Sequence, residues 1–166
     1  SIGIYSYELY NFYDVKRIIR VGSSGAYTDK LSLYDVVLST DAYSESTFAE
    51  LVGLGKVNKL EATSSLNKEL EKAADKLNVK LHKGTIHSSD AFYRPTGSVH
   101  EKLYKEQGCL AVEMESFALF ANAKISNKEA ACILTISDSL VTKELTTAEE
   151  RERSFTKMME VALEVI

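Results

Sequence analysis

Proline occurs once in these 166 residues, tryptophan not at all, and cysteine only twice. The one proline sits in Arg94-Pro95-Thr96-Gly97, which reads as a loop because proline removes a backbone donor and glycine relaxes the turn. Cys109 and Cys132 each stand alone in an apolar segment, with neither close spacing nor a neighbouring histidine. That excludes a disulfide framework and a zinc site and leaves two buried free thiols as the expectation. No run of 18 apolar residues is present, so no membrane association is expected. Basic residues are not in excess: 20 Lys and Arg face 24 Asp and Glu, for a net charge of -4, and they form no stripe with interleaved aromatics. Nucleic acid is therefore not the expected partner. The opening Ser1-Ile2-Gly3-Ile4-Tyr5 lacks the basic region and cleavage site of a secretion signal, and with free thiols this points to the cytoplasm. His82, His87 and His100 are scattered and pair with no cysteine or serine signal, so neither covalent nucleophilic catalysis nor a metal site is expected.

What is present is an alternation of short apolar runs with amphipathic stretches. A chain of this length fits one domain, residues 1–166, and can bury roughly two thirds of its unfolded surface. Ile18 to Val21, Asp35 to Ser39, Val79 to Ile86, Leu110 to Val112 and Ala131 to Ser137 read as strands. Between Asn67 and Leu77 the apolar residues Leu70, Ala73, Ala74 and Leu77 recur at helical spacing, with Ser64 or Ser65 as the start. A second helix is expected over Met114 to Ala123. A long one should begin at Thr147, where Glu150 three residues on completes a capping box. Ala42 to Thr63 has no clear period and is expected as loop or edge structure. Strands alternating with helices predict an α/β layer with a mixed or largely parallel sheet.

Three pieces can carry chemistry. Arg20-Val21-Gly22-Ser23-Ser24-Gly25 places two glycines, two hydroxyls and a guanidinium after a strand. Backbone N–H groups there can approach an anion, although an ordinary strand-to-loop turn has the same composition, and neither the triphosphate nor the dinucleotide glycine motif is present. Glu113-Met114-Glu115 stands at a strand-to-helix junction, where one carboxylate can face out and the other fold in. Glu115 can then accept two neighbouring hydroxyls, while the alternative is a pair of first-turn acids favoured by the helix dipole. Ser137-Asp138 ends the most apolar run, where α/β sheets bind ligands and where turn caps also occur. Arg151 lies against the dipole at the start of the last helix, as a residue with a partner elsewhere would, and Asp138 is a candidate. Phe92-Tyr93 can stack on a planar base or pack in the core.

Taken in order, these segments resemble the nucleoside phosphorylase superfamily, closest to the hexameric bacterial-type purine nucleoside phosphorylases. The matching stretches are Ser1 to Leu9, Arg20 to Ala26, Ser89 to Tyr93, Ala111 to Glu115, Leu134 to Asp138 and Thr146 to Arg151. The resemblance implies a three-layer α/β fold with a central mixed sheet flanked by helices, its amino-terminal strands absent. Family members carry roughly 65 further residues ahead of the position of Ser1, within the size of one large domain. It also implies phosphate-dependent cleavage of the N-glycosidic bond of purine ribo- and deoxyribonucleosides, a glycosyltransferase reaction of purine salvage. No cofactor is implied; inorganic phosphate is the co-substrate. Arg20, Gly22 and Ser23 would bind phosphate. Phe92, Glu113, Met114, Glu115 and Ser137 would hold the nucleoside, and Asp138 with Arg151 would manage the proton at purine N7. The implied partners are copies of the chain in a hexamer built as a trimer of dimers, together with a separate amino-terminal segment. A nucleosidase of the same superfamily and a non-catalytic nucleoside-binding chain are the alternatives. Ser24, Ser116-Phe117, Ser139 and Val141 depart from the usual family residues.

Overall fold

A computed structural model of the protein describes residues 1–94, 97, 99–153 and 155–166. The chain runs α1 (Ile2–Asn11), β1 (Arg17–Ala26), β2 (Val36–Tyr43), α2 (Phe48–Leu51), β3 (Lys59–Glu61), α3 (Ser64–Lys76) and β4 (Leu81–Ser88). It continues with α4 (His100–Gln107), β5 (Cys109–Glu113), α5 (Ser116–Ile125), β6 (Glu129–Ser139), α6 (Ala148–Arg153) and α7 (Thr156–Leu163). The strands form one mixed sheet in the order β3-β2-β4-β5-β1-β6. β1 is parallel to β6 and antiparallel to β5, and β4 is parallel to both β2 and β5. Val36 to Leu38 of β2 also pair antiparallel with Ile133 to Thr135 of β6, so the sheet rolls up and closes a ring of five strands.

Because side chains alternate along a strand, β6 feeds two cores at once. Ala130, Cys132, Leu134 and Ile136 pack with Tyr10 of α1 and with Phe117 and Phe120 of α5. Ala131 and Ile133 face the other way, toward Leu66 and Leu70 of α3 and Met158 and Val161 of α7. Each fully buried Leu, Ile, Val, Phe or Met among them contributes about 1.5–3 kcal/mol, so this one strand ties the two helical layers together. Buried Asn122 fixes α1 against α5 by donating to the Gly3 carbonyl at 2.7 Å and to Ser6 Oγ at 2.8 Å.

Two local expectations are corrected. Gly22 to Gly25 do not form a loop: β1 continues to Ala26, because β6 supplies a ladder along its whole length with one irregularity between Ser24 and Gly25. The single helix from Thr147 is two. α6 buries nothing, whereas Phe155 leaves helical geometry (φ -92°, ψ 37°) and enters the core beside α3 and α7. Burial of that ring outweighs continuity of the helix. Finally, α1 and α4 are helices that the apolar periodicity does not announce. Of Ala42 to Thr63, expected as loop or edge structure, Lys59–Glu61 are the edge strand β3, but Ala42 and Tyr43 complete β2, paired on both sides, and Phe48–Leu51 form the short helix α2. Of the expected loop Arg94 to Gly97, residues 95 and 96 lie outside the described residues.

Candidate active site

β1 carries the site along its length. Arg20 and Gly22 share one face, two residues apart, and the guanidinium lies across the glycine: a Cβ on Gly22 would stand 2.1 Å from Arg20 Nη1. Arg20 Nε meets Glu113 Oε2 at 3.2 Å and Nη2 contacts Glu115, while Nη1 is buried without a hydrogen-bond partner. A buried donor of that kind is costly unless a ligand completes it. At the other end of the strand, Gly25 pairs in register with Asp138, and a Cβ there would lie 2.8 Å from Asp138 Oδ2. The two glycines thus make room for the two functional side chains. Arg20 and Asp138 stand about five residues of strand apart, roughly 16 Å.

The two glutamates divide the alternatives between them. Glu113 is the structural one. Its buried carboxylate accepts from Glu115 N at 2.9 Å, from Ser116 N at 2.9 Å and from Ser116 Oγ at 2.5 Å, satisfying the first free N–H groups of α5. Burial pushes its pKa upward, against the opposing pull of Arg20 and of the donors around Ser116. Breaking a buried pair such as Arg20–Glu113 costs about 3–5 kcal/mol, so Glu113 anchors the site as well as lining it. Glu115 is partly exposed and faces the cavity, next to half-exposed Met114.

Asp138 is not the turn cap. Ser139 takes that place, its Oγ accepting from Thr142 N at 3.0 Å and Val141 N at 3.3 Å, while Asp138 Oδ1 accepts from Ser137 Oγ at 2.7 Å. Core packing of Phe92 and Tyr93 is also excluded: they are 77% and 88% exposed, with ring centroids 5.0 Å apart. Arg20, Ser23, Phe92, Glu113, Met114, Glu115, Ser137 and Asp138 all line one cavity of about 640 Å³. Gly22 lies beneath Arg20. Arg151 is not in the cavity wall: on α6, its Nη1 donates to the Thr146 carbonyl at 2.6 Å. Thr146 Oγ1 in turn donates to the carbonyl of Ser137, the neighbour of Asp138, at 2.8 Å.

Sequence patterns do not reveal a second polar group on the cavity. Tyr27 OH stands 2.7 Å from His87 Nδ1, and His87 Nε2 stands 2.8 Å from Glu45 Oε2. Glu45 also holds Arg94, and Tyr27 and Arg94 line the cavity. The four residues come from separate segments, so no spacing could have brought them together. Burial lowers the His87 pKa despite the carboxylate of Glu45, keeping the imidazole neutral.

Residues 3–166 match the family model of the phosphorylase superfamily. The DeoD-type purine nucleoside phosphorylase of Mycoplasma genitalium is 47% identical over 99% of this chain and 70% of its own length. That of Mycoplasma pneumoniae is 43% identical over the same shares, and that of Oceanobacillus iheyensis 39% over 100% and 71%. Among solved structures, the P. knowlesi homologue of P. falciparum PNP superposes with a TM-score of 0.82 at 24% identity, covering 99% of this chain and 66% of that one. The Campylobacter jejuni 5'-methylthioadenosine/S-adenosyl homocysteine nucleosidase does so with 0.84 at 19% identity, covering 98% and 74%. These two share the fold, while the sequence relatives fix the branch: the chain belongs to the phosphorylase superfamily, among the DeoD-type purine nucleoside phosphorylases.

Proposed function

We propose that this chain carries the purine nucleoside phosphorylase reaction, in which inorganic phosphate displaces the base of a purine nucleoside. The observation that carries the proposal is the order of groups along β1: an anion-seeking guanidinium with a free buried donor at one end, the Glu115 carboxylate beside it, and the Asp138 carboxyl at the other. Phosphate would take Arg20 Nη1 together with Ser23 and the backbone at Gly22. Doing so competes with Glu115 for the guanidinium and frees that carboxylate to accept the two ribose hydroxyls, with Met114 against the sugar. Phe92, exposed on the rim, would close over the base.

In the chemical step a phosphate oxygen forms a bond to the anomeric carbon while the bond from that carbon to N9 breaks, its electron pair passing to the purine. A proton delivered to N7 neutralises the base, and no electron carrier is needed. Asp138 is the proposed proton source, with Arg151 reaching it by leaving the Thr146 carbonyl. The products are free base and ribose 1-phosphate. Two buried free thiols accord with work in the cytoplasm. Among the described residues no helix is long and apolar enough to cross a membrane.

The test is release of hypoxanthine from inosine with and without phosphate. Release that requires phosphate is the expected result. Equal release without it would assign water as the nucleophile, and nucleoside binding with no release would leave a binding chain.

A further inference from the structure

Tyr27 follows the end of β1, two residues beyond Gly25, and so lies past Asp138 at the end of the cavity away from Arg20. If Asp138 serves the five-membered ring of a purine, the group beyond it meets the six-membered ring. What that group offers is set by its hydrogen bonds. A carboxylate can only accept, so Glu45 requires a proton on His87 Nε2. The neutral ring then presents Nδ1 as an acceptor, and Tyr27 must donate its single proton to it. The phenol oxygen is left with lone pairs alone.

We propose that Tyr27 determines base specificity: its oxygen, with its own proton committed to His87, accepts a hydrogen bond from an N–H on the six-membered ring of the purine, and His87 and Glu45 are positioning residues that fix this role. The inference rests on the cavity binding a purine nucleoside. It differs from the roles of Asp138 and Phe92, which any purine would use alike. Buried Ser24 Oγ, without a partner on the same cavity wall, offers a further polar contact to the base.

Three nucleosides separate the possibilities. Adenosine carries an exocyclic amino group and inosine an N1–H, whereas purine riboside has no N–H on the ring edge. Tyr27→Phe should lower kcat/KM for adenosine, inosine or both by about 3- to 10-fold, the value of one hydrogen bond, and leave purine riboside within about twofold. In Glu45→Gln the amide can either donate to or accept from Nε2, so the tautomer is no longer imposed. That variant should lose the same discrimination while still turning over purine riboside, and its partly exposed position makes it a safeguard should Tyr27→Phe fold poorly. Nitrogen NMR of the unaltered chain should find the His87 proton on Nε2. Equal losses on all three nucleosides, no loss on any, or a proton on Nδ1 would each overturn the proposal. Failure of the unaltered chain to split purine riboside with phosphate would instead sink the functional reading, and the specificity proposal with it.

Discussion

At the scale of single residues, the proposed chemistry rests on side chains whose neighbours leave them one job. Asp138 is spared from capping by Ser139 and is given space by Gly25. Replacing it with asparagine keeps its size and removes its acid, so turnover on inosine should fall on the order of 10²–10⁴-fold with little change in binding. Arg151→Ala should fall in the same direction, and the double variant by less than the product, because the two serve one step. Steady-state kinetics of all three decides this, and near-normal turnover of Asp138→Asn would remove it from the mechanism. Arg20 cannot be tested so directly, since its loss strands Glu113. Gly22→Ala is the milder probe. Its methyl group would displace the flexible guanidinium while leaving the backbone of β1 in a conformation alanine also adopts. The KM for phosphate should rise, by about 10-fold or more if the fork moves by an ångström. The unfolding midpoint should fall as well, because the displaced guanidinium loosens from Glu113, and an unchanged phosphate KM would show that Arg20 does not hold the anion.

At the scale of elements, the two-part tail separates stability from activity. Thr147 and Glu150 bond reciprocally, with Thr147 N donating to Glu150 Oε2 at 2.7 Å and Glu150 N to Thr147 Oγ1 at 3.2 Å. This box starts a helix that buries nothing but carries Arg151. Thr147→Ala should cost α6 about 1 kcal/mol locally and lower turnover, with the global unfolding midpoint nearly unchanged. Phe155→Ala opens the core beneath α7 and should cost about 3–5 kcal/mol by denaturant melts. A large global loss from Thr147→Ala would mean the two helices unfold as one. The capping box was legible in the sequence because it is a local pattern, and so were β2, β4, β5, β6 and α3, whose periodicity reports burial. The break at Phe155 was not, since only the tertiary core decides whether that ring turns inward. For the same reason Arg20 to Asp138 could be assembled from motifs, but Tyr27, His87, Glu45 and Arg94 could not. Each is unremarkable in its own segment, and the β1–β5–β4–β2 pairing alone brings them together.

At the scale of the whole molecule, Tyr5 of α1 and Phe12 and Tyr13 just beyond its end are each more than 60% exposed. Aromatics gathered on one short helix and the two residues that follow it are more than scattered surface apolarity and mark a contact face. Sedimentation should find a homo-oligomer, and Phe12→Asp with Tyr13→Asp should shift it toward smaller species. A well-folded monomer at all concentrations would refute the assignment. The closed ring of strands has a consequence of another kind. β2 pairs with β4 on one side and with β6 and then β3 on the other, so β3 forms one open edge, while Arg17 to Ser24 of β1 pair with β6 alone and leave their other side open as well. The edge at β3 is three residues long, with Leu60 buried and Lys59 and Glu61 exposed on either side of it. The short edge at β3, guarded by one charge of each sign, gives a passing strand little to add to, whereas the free side of β1, the strand that carries Arg20, has room for one.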